Sequence, residues 1–214
     1  MTNFSNYLNL IKHVMYKILL ASNNKYKAME FVQFINKNNY PITLLTPHLW
    51  KDIGSIPETG SSYLDNALIK ANIVYQYYRL PVLADDSGME LTEFSNFPGI
   101  YSNRYAGPNA NDKDNCNKLR KFLLKKQLTF TPAKYRCVLV YQYQINKYQK
   151  FSATWDGKIC GLDFCPDEVF GYDPMFIPSG CNKTLAQLDS SYKNTYSHRA
   201  RAVRKLLKYI EKSY

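Results

Sequence analysis

Nowhere does the chain carry an uninterrupted run of about 18 or more uncharged apolar residues, so no membrane span is expected. Its five cysteines, Cys116, Cys137, Cys160, Cys165 and Cys181, are odd in number and form no C-x-x-C pair. That argues against a disulfide framework or a zinc ribbon and fits a reducing interior. The three histidines, His13, His48 and His198, are too dispersed to suggest a metal cluster. No G-x-x-x-x-G-K-[ST] loop and no G-x-S-x-G elbow occurs, which excludes Walker A and serine-elbow chemistry. Internal repeats and low-complexity tracts are absent too. A signal peptide is not expected: Val14 to Ala21 is apolar, but Lys17 interrupts it and a polar loop follows. A cytoplasmic protein is expected instead, with residues 1–15 an N-terminal extension, disordered or the product of a misplaced start, and 16–214 a single domain.

What is present suits a folded core: 45% of the 214 residues are hydrophobic, enough to make disorder the poorer reading. Lys and Arg number 28 against 17 Asp and Glu, a net charge of +11. Such a balance attracts nucleic acid, anionic lipid or a polyphosphate. The lysines are scattered rather than gathered into a stripe, and Lys, Asn and Tyr accumulate together under A+T-rich coding, so charge alone decides little.

Lys17-Ile-Leu-Leu-Ala21 reads as a short buried strand ending in the polar loop Ser22 to Lys27. Ala28, Val32 and Ile35 recur at helical spacing after it, and Ile42 to Thr46 reads as the next strand. Ser62-Tyr-Leu-Asp65 is a capping-box variant, opening a helix with Leu64, Leu68 and Ala71 on one face. Pro81 to Asp85 is a strand running into carboxylates, Asp112 to Lys126 a helix, and Arg136–Ile145 with Gln149–Ile159 a hairpin of long strands. Residues 160–182 read as irregular, and Val203, Leu206, Leu207 and Ile210 stripe a terminal helix. Early alternation of strands and helices followed by a hairpin predicts an α/β fold with a mixed sheet.

Four stations carry chemistry. A polar loop entering a helix offers unpaired N–H groups and a positive dipole end to phosphate, and Ser22, Asn24 and Lys27 add a hydroxyl, an amide and a cation; Ser and Asn there also serve as ordinary caps. In Leu83-Ala-Asp-Asp-Ser-Gly88 two adjacent carboxylates end a strand. Strand alternation points Asp85 and Asp86 to opposite sides, so one can bind metal while the other braces the loop. Ser87 and Gly88 would then allow a tight turn and close approach of a ligand. Glu58, upstream, supplies a second carboxylate for a hard cation such as Mg²⁺. Phe170-Gly-Tyr-Asp-Pro-Met-Phe176 either sandwiches a flat ring or plugs the core beneath a loop. Ser197-His-Arg199 opens the terminal helix; as neighbours on a helix, Ser197 and His198 make a poor nucleophile–base pair, and His198 and Arg199 fit better as donors to a ligand.

In this order the four stations resemble the inosine triphosphate pyrophosphatase family, which hydrolyses non-standard purine nucleotides. The matching stretches are Ala21 to Lys27, Glu58-Thr-Gly60 with Asn66 to Ala71, Ala84 to Gly88, Phe97 to Ser102, Arg104 to Gly107, Phe170 to Pro174, and Lys193 with Ser197 to Arg199. The resemblance implies a long central mixed β-sheet flanked by helices in two lobes with a substrate cleft between, and a homodimer. It places the phosphate loop on Ser22, Asn23, Asn24, Lys25, Tyr26 and Lys27, with Lys70 a further phosphate ligand. The metal carboxylates fall on Glu58 and Asp86, and Asp86 matches the acid that activates water. Ser87 matches a substrate contact, Phe170, Gly171, Tyr172 and Asp173 a base-binding wall, and Lys193, His198 and Arg199 further base or phosphate contacts. Two positions depart from the family pattern: Asn23 stands where Gly is common, and Asp167-Glu168-Val169 replaces a glycine-rich approach to Phe170.

The activity so implied is Mg²⁺-dependent cleavage of ITP, dITP or XTP into monophosphate and pyrophosphate. Three rivals stand beside it: a pyrophosphatase of pyrimidine or other modified nucleotides, a family member that binds nucleotides without turnover, and a basic nucleic-acid-binding module. Nothing in the last accounts for the paired carboxylates, and nucleic acid is not an expected partner.

Overall fold

A computed structural model describes residues 16–37, 40–47, 53–54, 56–161 and 170–213. Residues 1–15, His48, Cys165 and the Asp167-Glu168-Val169 departure lie outside them. The elements run β1 (Tyr16–Ala21), α1 (Lys25–Lys37), β2 (Ile42–Leu45), α2 (Tyr63–Tyr78), β3 (Val82–Leu91), β4 (Phe97–Pro98), a 3₁₀ turn (Gly99–Arg104), α3 (Asp112–Lys125), β5 (Phe130–Gln144), β6 (Lys147–Cys160), β7 (Phe176–Pro178), α4 (Ser190–Tyr196) and α5 (His198–Ser213).

The sheet orders its strands β2-β1-β3-β5-β6-β7, with β4 paired to β3. β2, β1 and β3 are parallel, and β3, β5, β6 and β7 antiparallel, which makes the sheet mixed. Alternation decides which residues meet which helix. Ile18, Leu20, Leu83, Cys137 and Leu139 pack on one face against Phe31 and Ile35 of α1 and Val203, Leu206 and Leu207 of α5. Leu19, Ala21, Val82, Ala84 and Val140 pack on the other against Ala67, Ala71 and Val74 of α2. Beyond these layers β3, β5 and β6 run on into a second lobe, where Met89, Leu91, Trp155 and Ile159 meet Cys116, Leu119 and Leu123 of α3.

Local chemistry explains several boundaries. Ser62 caps α2 by accepting from the Asp65 N–H at 3.1 Å, and the Asp65 carboxylate accepts the Ser61 hydroxyl at 2.8 Å. Asn111 and Asp114 make a full capping box at the start of α3. The apolar stripe expected on α2 is rotated: Tyr63, Asn66, Ala67, Lys70, Ala71 and Val74 are buried, and Leu64 and Leu68 sit half-buried beside them. Periodicity in apolar residues missed this face because two of its members, Asn66 and Lys70, are polar. The segment expected to be irregular contains β7, three residues paired to β6.

The tight turn expected at Ser87-Gly88 does not exist. β3 runs straight through both residues. Glycine is needed at 88 for a different reason: a Cβ there would lie 2.3 Å from the Gly99 carbonyl oxygen, 2.7 Å from Ser102 Oγ and 2.8 Å from Tyr63 Oη. The 3₁₀ turn thus lies directly against the strand, held by Ser102 Oγ, which accepts from the Met89 N–H at 2.9 Å and donates its proton to the Gly99 carbonyl at 2.6 Å, with the Met89 carbonyl 3.1 Å away.

Candidate active site

The loop between β1 and α1 opens one end of a cavity between the lobes, lined there by Ser22, Asn23, Asn24 and Lys27. Asn24 caps the helix, its Oδ1 accepting from the Lys27 N–H at 3.0 Å. The first turn of α1 carries no acidic residue, so nothing there offsets the positive end of the helix. Of the six positions in this loop, Lys25 and Tyr26 do not line the cavity. Lys25 is exposed, and Tyr26, 55% exposed, leans on the rim with its ring 5.0 Å from that of Phe170.

β3 delivers its two carboxylates by parity. Asp85 shares the side of Leu83 and faces α1 and α5. Lys27 Nζ lies 3.2 Å from both of its oxygens, and Arg199 Nε is 3.8 Å away. Burial by itself would raise the Asp85 carboxyl, but Lys27, Arg199 and Lys70 together hold it far below the usual carboxylate range. Asp86 shares the side of Ala84 and faces α2. Its Oδ2 accepts from Asn66 Nδ2 at 3.1 Å and its Oδ1 lies 3.5 Å from Lys70 Nζ. Burial, with Glu58 adding to it, outweighs Lys70, Lys27 and the Asn66 hydrogen bond and raises the Asp86 carboxyl. One carboxylate is locked into ion pairs; its neighbour is kept more basic and lines the cavity.

Glu58 lies in an extended stretch before α2. Its Oε1 takes Lys70 Nζ at 2.9 Å, its Oε2 takes Arg104 Nη1 at 2.9 Å, and its carbonyl takes Arg104 Nη2 at 3.2 Å. Burial raises its carboxyl, but Lys70, Lys27 and Arg104 prevail and lower it. Lys70 therefore joins the two predicted metal carboxylates. Among the described residues no group of three His, Cys, Asp or Glu could hold a metal by itself. The donor set suits an ion that keeps one or two carboxylates and completes its shell with substrate oxygens and water, as Mg²⁺ does.

At the other end the Phe170–Phe176 segment divides between its two readings. Phe170 lines the cavity, half-buried, with Lys193 Nζ 4.0 Å from its ring centre. Gly171 takes φ +55°, and its N–H donates to Asp112 Oδ2 at 2.8 Å. Tyr172, Met175 and Phe176 plug the second core. Asp173 accepts from Tyr135 Oη at 3.2 Å and from Lys193 at 2.5 Å, and burial raises its carboxyl against the pull of Lys193.

His198 lies flat on Tyr135, ring centres 4.8 Å apart and planes 9° from parallel, with no hydrogen-bond partner at Nδ1 among the described residues. Burial, aided by Arg199 and Lys193, pushes its pKa well below 6.5 and keeps it neutral at pH 7. Arg199 is clamped: it bonds Glu30, and Nη2 donates to Ser87 Oγ at 3.0 Å. Ser197 accepts from the Ala200 N–H through Oγ and so caps α5.

The cavity brings together Ser22, Asn23, Asn24, Lys27, Glu58, Lys70, Asp86, Ser87, Phe170, Gly171, Tyr172, Asp173, Lys193, His198 and Arg199. Sequence reasoning assigned no role to Glu30, Asn66, Arg104, Asp112 or Tyr135, which hold these groups in place. Asn66 and Lys70, four apart in an otherwise apolar helix face, were the one readable signal. Glu30, bonding both Lys193 (3.0 Å) and Arg199, looks in sequence like any surface helix acid.

The Ham1 family model matches residues 18–209 of this chain. A dITP/XTP pyrophosphatase of Malacoplasma penetrans is 48% identical over 196 residues, covering 91% of this chain and 98% of that protein. One from Shewanella oneidensis is 40% identical over 197 residues, covering 90% and 93%. Among solved structures, a HAM1 protein from Coxiella burnetii superposes with a TM-score of 0.81 at 32% identity, covering 92% of this chain and 100% of that one. The Staphylococcus aureus Ham1 protein gives a TM-score of 0.77 at 31% identity, with the same coverage.

Proposed function

The chain belongs to the Ham1 family, and on that premise we propose that it hydrolyses the non-standard purine nucleotides ITP, dITP and XTP to monophosphate and pyrophosphate, with Mg²⁺ as cofactor. The observation that carries this reading is the polarity of one cavity. Lys27, Lys70 and the end of α1 meet Glu58 and Asp86 at one end, and Phe170, Asp173, Lys193 and His198 meet at the other. A triphosphate calls for cations and a flat base for an aromatic wall with donors, and residues of both kinds line this one cavity.

Lys27 and Lys70 neutralise the phosphate tail and orient the α-phosphorus. Glu58 and Asp86 would hold Mg²⁺, which when bound supplies further neutralisation of the phosphate oxygens. Asp86, which lines the cavity between Asn66 and Lys70, takes the proton of the attacking water. The new P–O bond forms at the α-phosphorus as the bond to the β-phosphate oxygen breaks, and pyrophosphate leaves with that electron pair. Asp85 never meets the nucleotide; it holds Lys27 and Arg199 in place.

Hypoxanthine and xanthine present an acceptor oxygen at C6, where adenine presents an amine, and opposing a buried donor to that amine costs roughly 1–3 kcal/mol. Arg199 is engaged by Glu30 and Ser87, and Lys193 by Glu30 and Asp173, so the donors left for that oxygen are His198 and main-chain N–H groups. A homodimer in the cytoplasm completes the proposal. No helix among the described residues is long and apolar enough to cross a membrane. The deciding experiment is pyrophosphate release from ITP, dITP, XTP, GTP and ATP with and without Mg²⁺. Higher kcat/KM for the first three, with metal dependence, is expected; equal turnover of all five would overturn the base assignment.

A further inference from the structure

The Lys70 ammonium lies between the two carboxylates that would hold the divalent ion, 2.9 Å from Glu58 Oε1 and 3.5 Å from Asp86 Oδ1. The other oxygen of each acid is engaged elsewhere, Glu58 Oε2 by Arg104 and Asp86 Oδ2 by Asn66. Among the described residues Lys70 is thus the donor that both acids share. It is 8% exposed, on the buried face of α2 between Asn66 and Val74.

We propose that Lys70 is a resident counter-ion of the metal site, which keeps a divalent cation from binding firmly until the nucleotide's phosphates draw the ammonium away, so that metal and nucleotide bind with positive coupling. The inference rests on the function proposed above.

Charge bookkeeping supports it. Glu30, Asp85, Asp86 and Glu58 carry four negative charges, and Lys27, Lys70, Arg104 and Arg199, all paired to them, carry four positive ones. A divalent cation alone would enter a cluster that is already compensated and would approach the Lys70 ammonium at short range. In a partly desolvated site that repulsion is not screened as it is in water. A triphosphate reverses the balance, bringing several negative charges and oxygen acceptors to which Lys70 can turn. Arg104, which also grips the Glu58 carbonyl, keeps that acid in position during the exchange. Coupling between two ligands is reciprocal, so the nucleotide must also bind more tightly with metal than without it.

The test measures binding rather than turnover, with Mn²⁺ as the probe and calorimetry or Mn²⁺ EPR as readout. For the wild-type chain, Mn²⁺ alone is expected to bind weakly, and a saturating non-hydrolysable α,β-methylene ITP to tighten it by a factor on the order of 10 or more, within the usual range of coupling between sites. In Lys70→Met the ammonium is gone, so Mn²⁺ alone should bind on the order of 10-fold more tightly than to wild type and the coupling should shrink. Lys70→Arg, which keeps the charge, should behave as wild type toward Mn²⁺ alone and controls for damage to the fold. Equal Mn²⁺ affinity with and without the analogue in wild type, or no gain in Lys70→Met while its circular dichroism matches wild type, overturns the proposal. Should Lys70→Met not fold, Lys70→Gln takes its place in the same comparison, because substrate oxygens tighten Mn²⁺ in wild type whether or not Lys70 moves. Pyrophosphate release by wild type tests the underlying activity separately, so an active enzyme without the coupling sinks this inference and leaves the function standing.

Discussion

Lys27 Nζ is equidistant from the two oxygens of Asp85, 3.2 Å from each, across 58 residues of sequence. The cation at the phosphate end of the cavity is therefore aimed by an acid from the neighbouring strand, fully buried behind it. Asp85→Asn would leave Lys27 and Arg199 without that charge. Loss of one partner from a buried pair costs about 3 kcal/mol; the urea midpoint should fall accordingly, and KM for the nucleotide should rise. The Asp85 carboxyl is depressed on folding, so its contribution is complete above its unfolded value near 3.8 and is lost as pH falls below it. Acid unfolding of the variant should then be shallower than that of wild type. An unchanged midpoint would remove Asp85 from the scaffold.

Asp86→Asn separates activity from stability. Without its base the reaction should slow by a factor of about 10²–10⁴ in kcat. The Asp86 carboxyl is raised on folding, so its charged form weakens the native state as pH rises. The amide should therefore keep the wild-type Tm or exceed it at pH 7. In the metal-free protein that penalty appears as pH rises through the raised pKa, so the Tm gap between the amide and wild type should widen from acid toward neutral pH. Pyrophosphate release, with calorimetric Tm across pH, checks both; a substantially active Asp86→Asn enzyme contradicts the assigned role.

Gly88→Ala tests the packing of the 3₁₀ turn on β3. The new methyl would meet the Gly99 carbonyl at 2.3 Å, and backbone cannot swing aside as a flexible side chain can. Overpacking of this kind costs about 1–3 kcal/mol. Because Arg104 ends that turn and holds Glu58, activity should decline along with Tm. A variant with wild-type Tm and activity would show that the contact yields freely.

His198→Gln should change the pH dependence of stability. The folded protein keeps His198 neutral, whereas the unfolded chain protonates it below about 6.5. The unfolded state binds more protons there, so native stability falls as pH drops below 6.5, by up to about 1.4 kcal/mol per pH unit for one such group. Urea unfolding of wild type between pH 7 and 5 should show this slope, and the variant should show it reduced. Identical slopes would mean that His198 titrates normally.

Periodicity and turn chemistry made β1, α1, the β5–β6 hairpin and the α5 stripe of Val203, Leu206, Leu207 and Ile210 legible, and strand alternation separated Asp85 from Asp86 before any fold was known. The buried face of α2 was not legible, since Asn66 and Lys70 break the apolar pattern in order to reach Asp86 and Glu58. Nor was the true need for Gly88, because the carbonyl that forbids a side chain comes from a loop eleven residues later. Lys25 and Tyr26 sit in the loop pattern and yet stay outside the cavity; the helix that begins at Lys25 turns them outward, and position in a motif carries no such directional information.

By itself the sequence determined which groups exist: two adjacent carboxylates on a strand that must part them, lysines on two helices, and an aromatic segment hinged on glycine. Their local geometry follows from backbone periods of 2 and 3.6 residues. Only the tertiary structure decided who faces whom, that Lys70 spans Glu58 and Asp86 and that Glu30 restrains both Lys193 and Arg199. Such contacts depend on register and helix rotation over separations of 12 to 169 residues, which no local rule encodes.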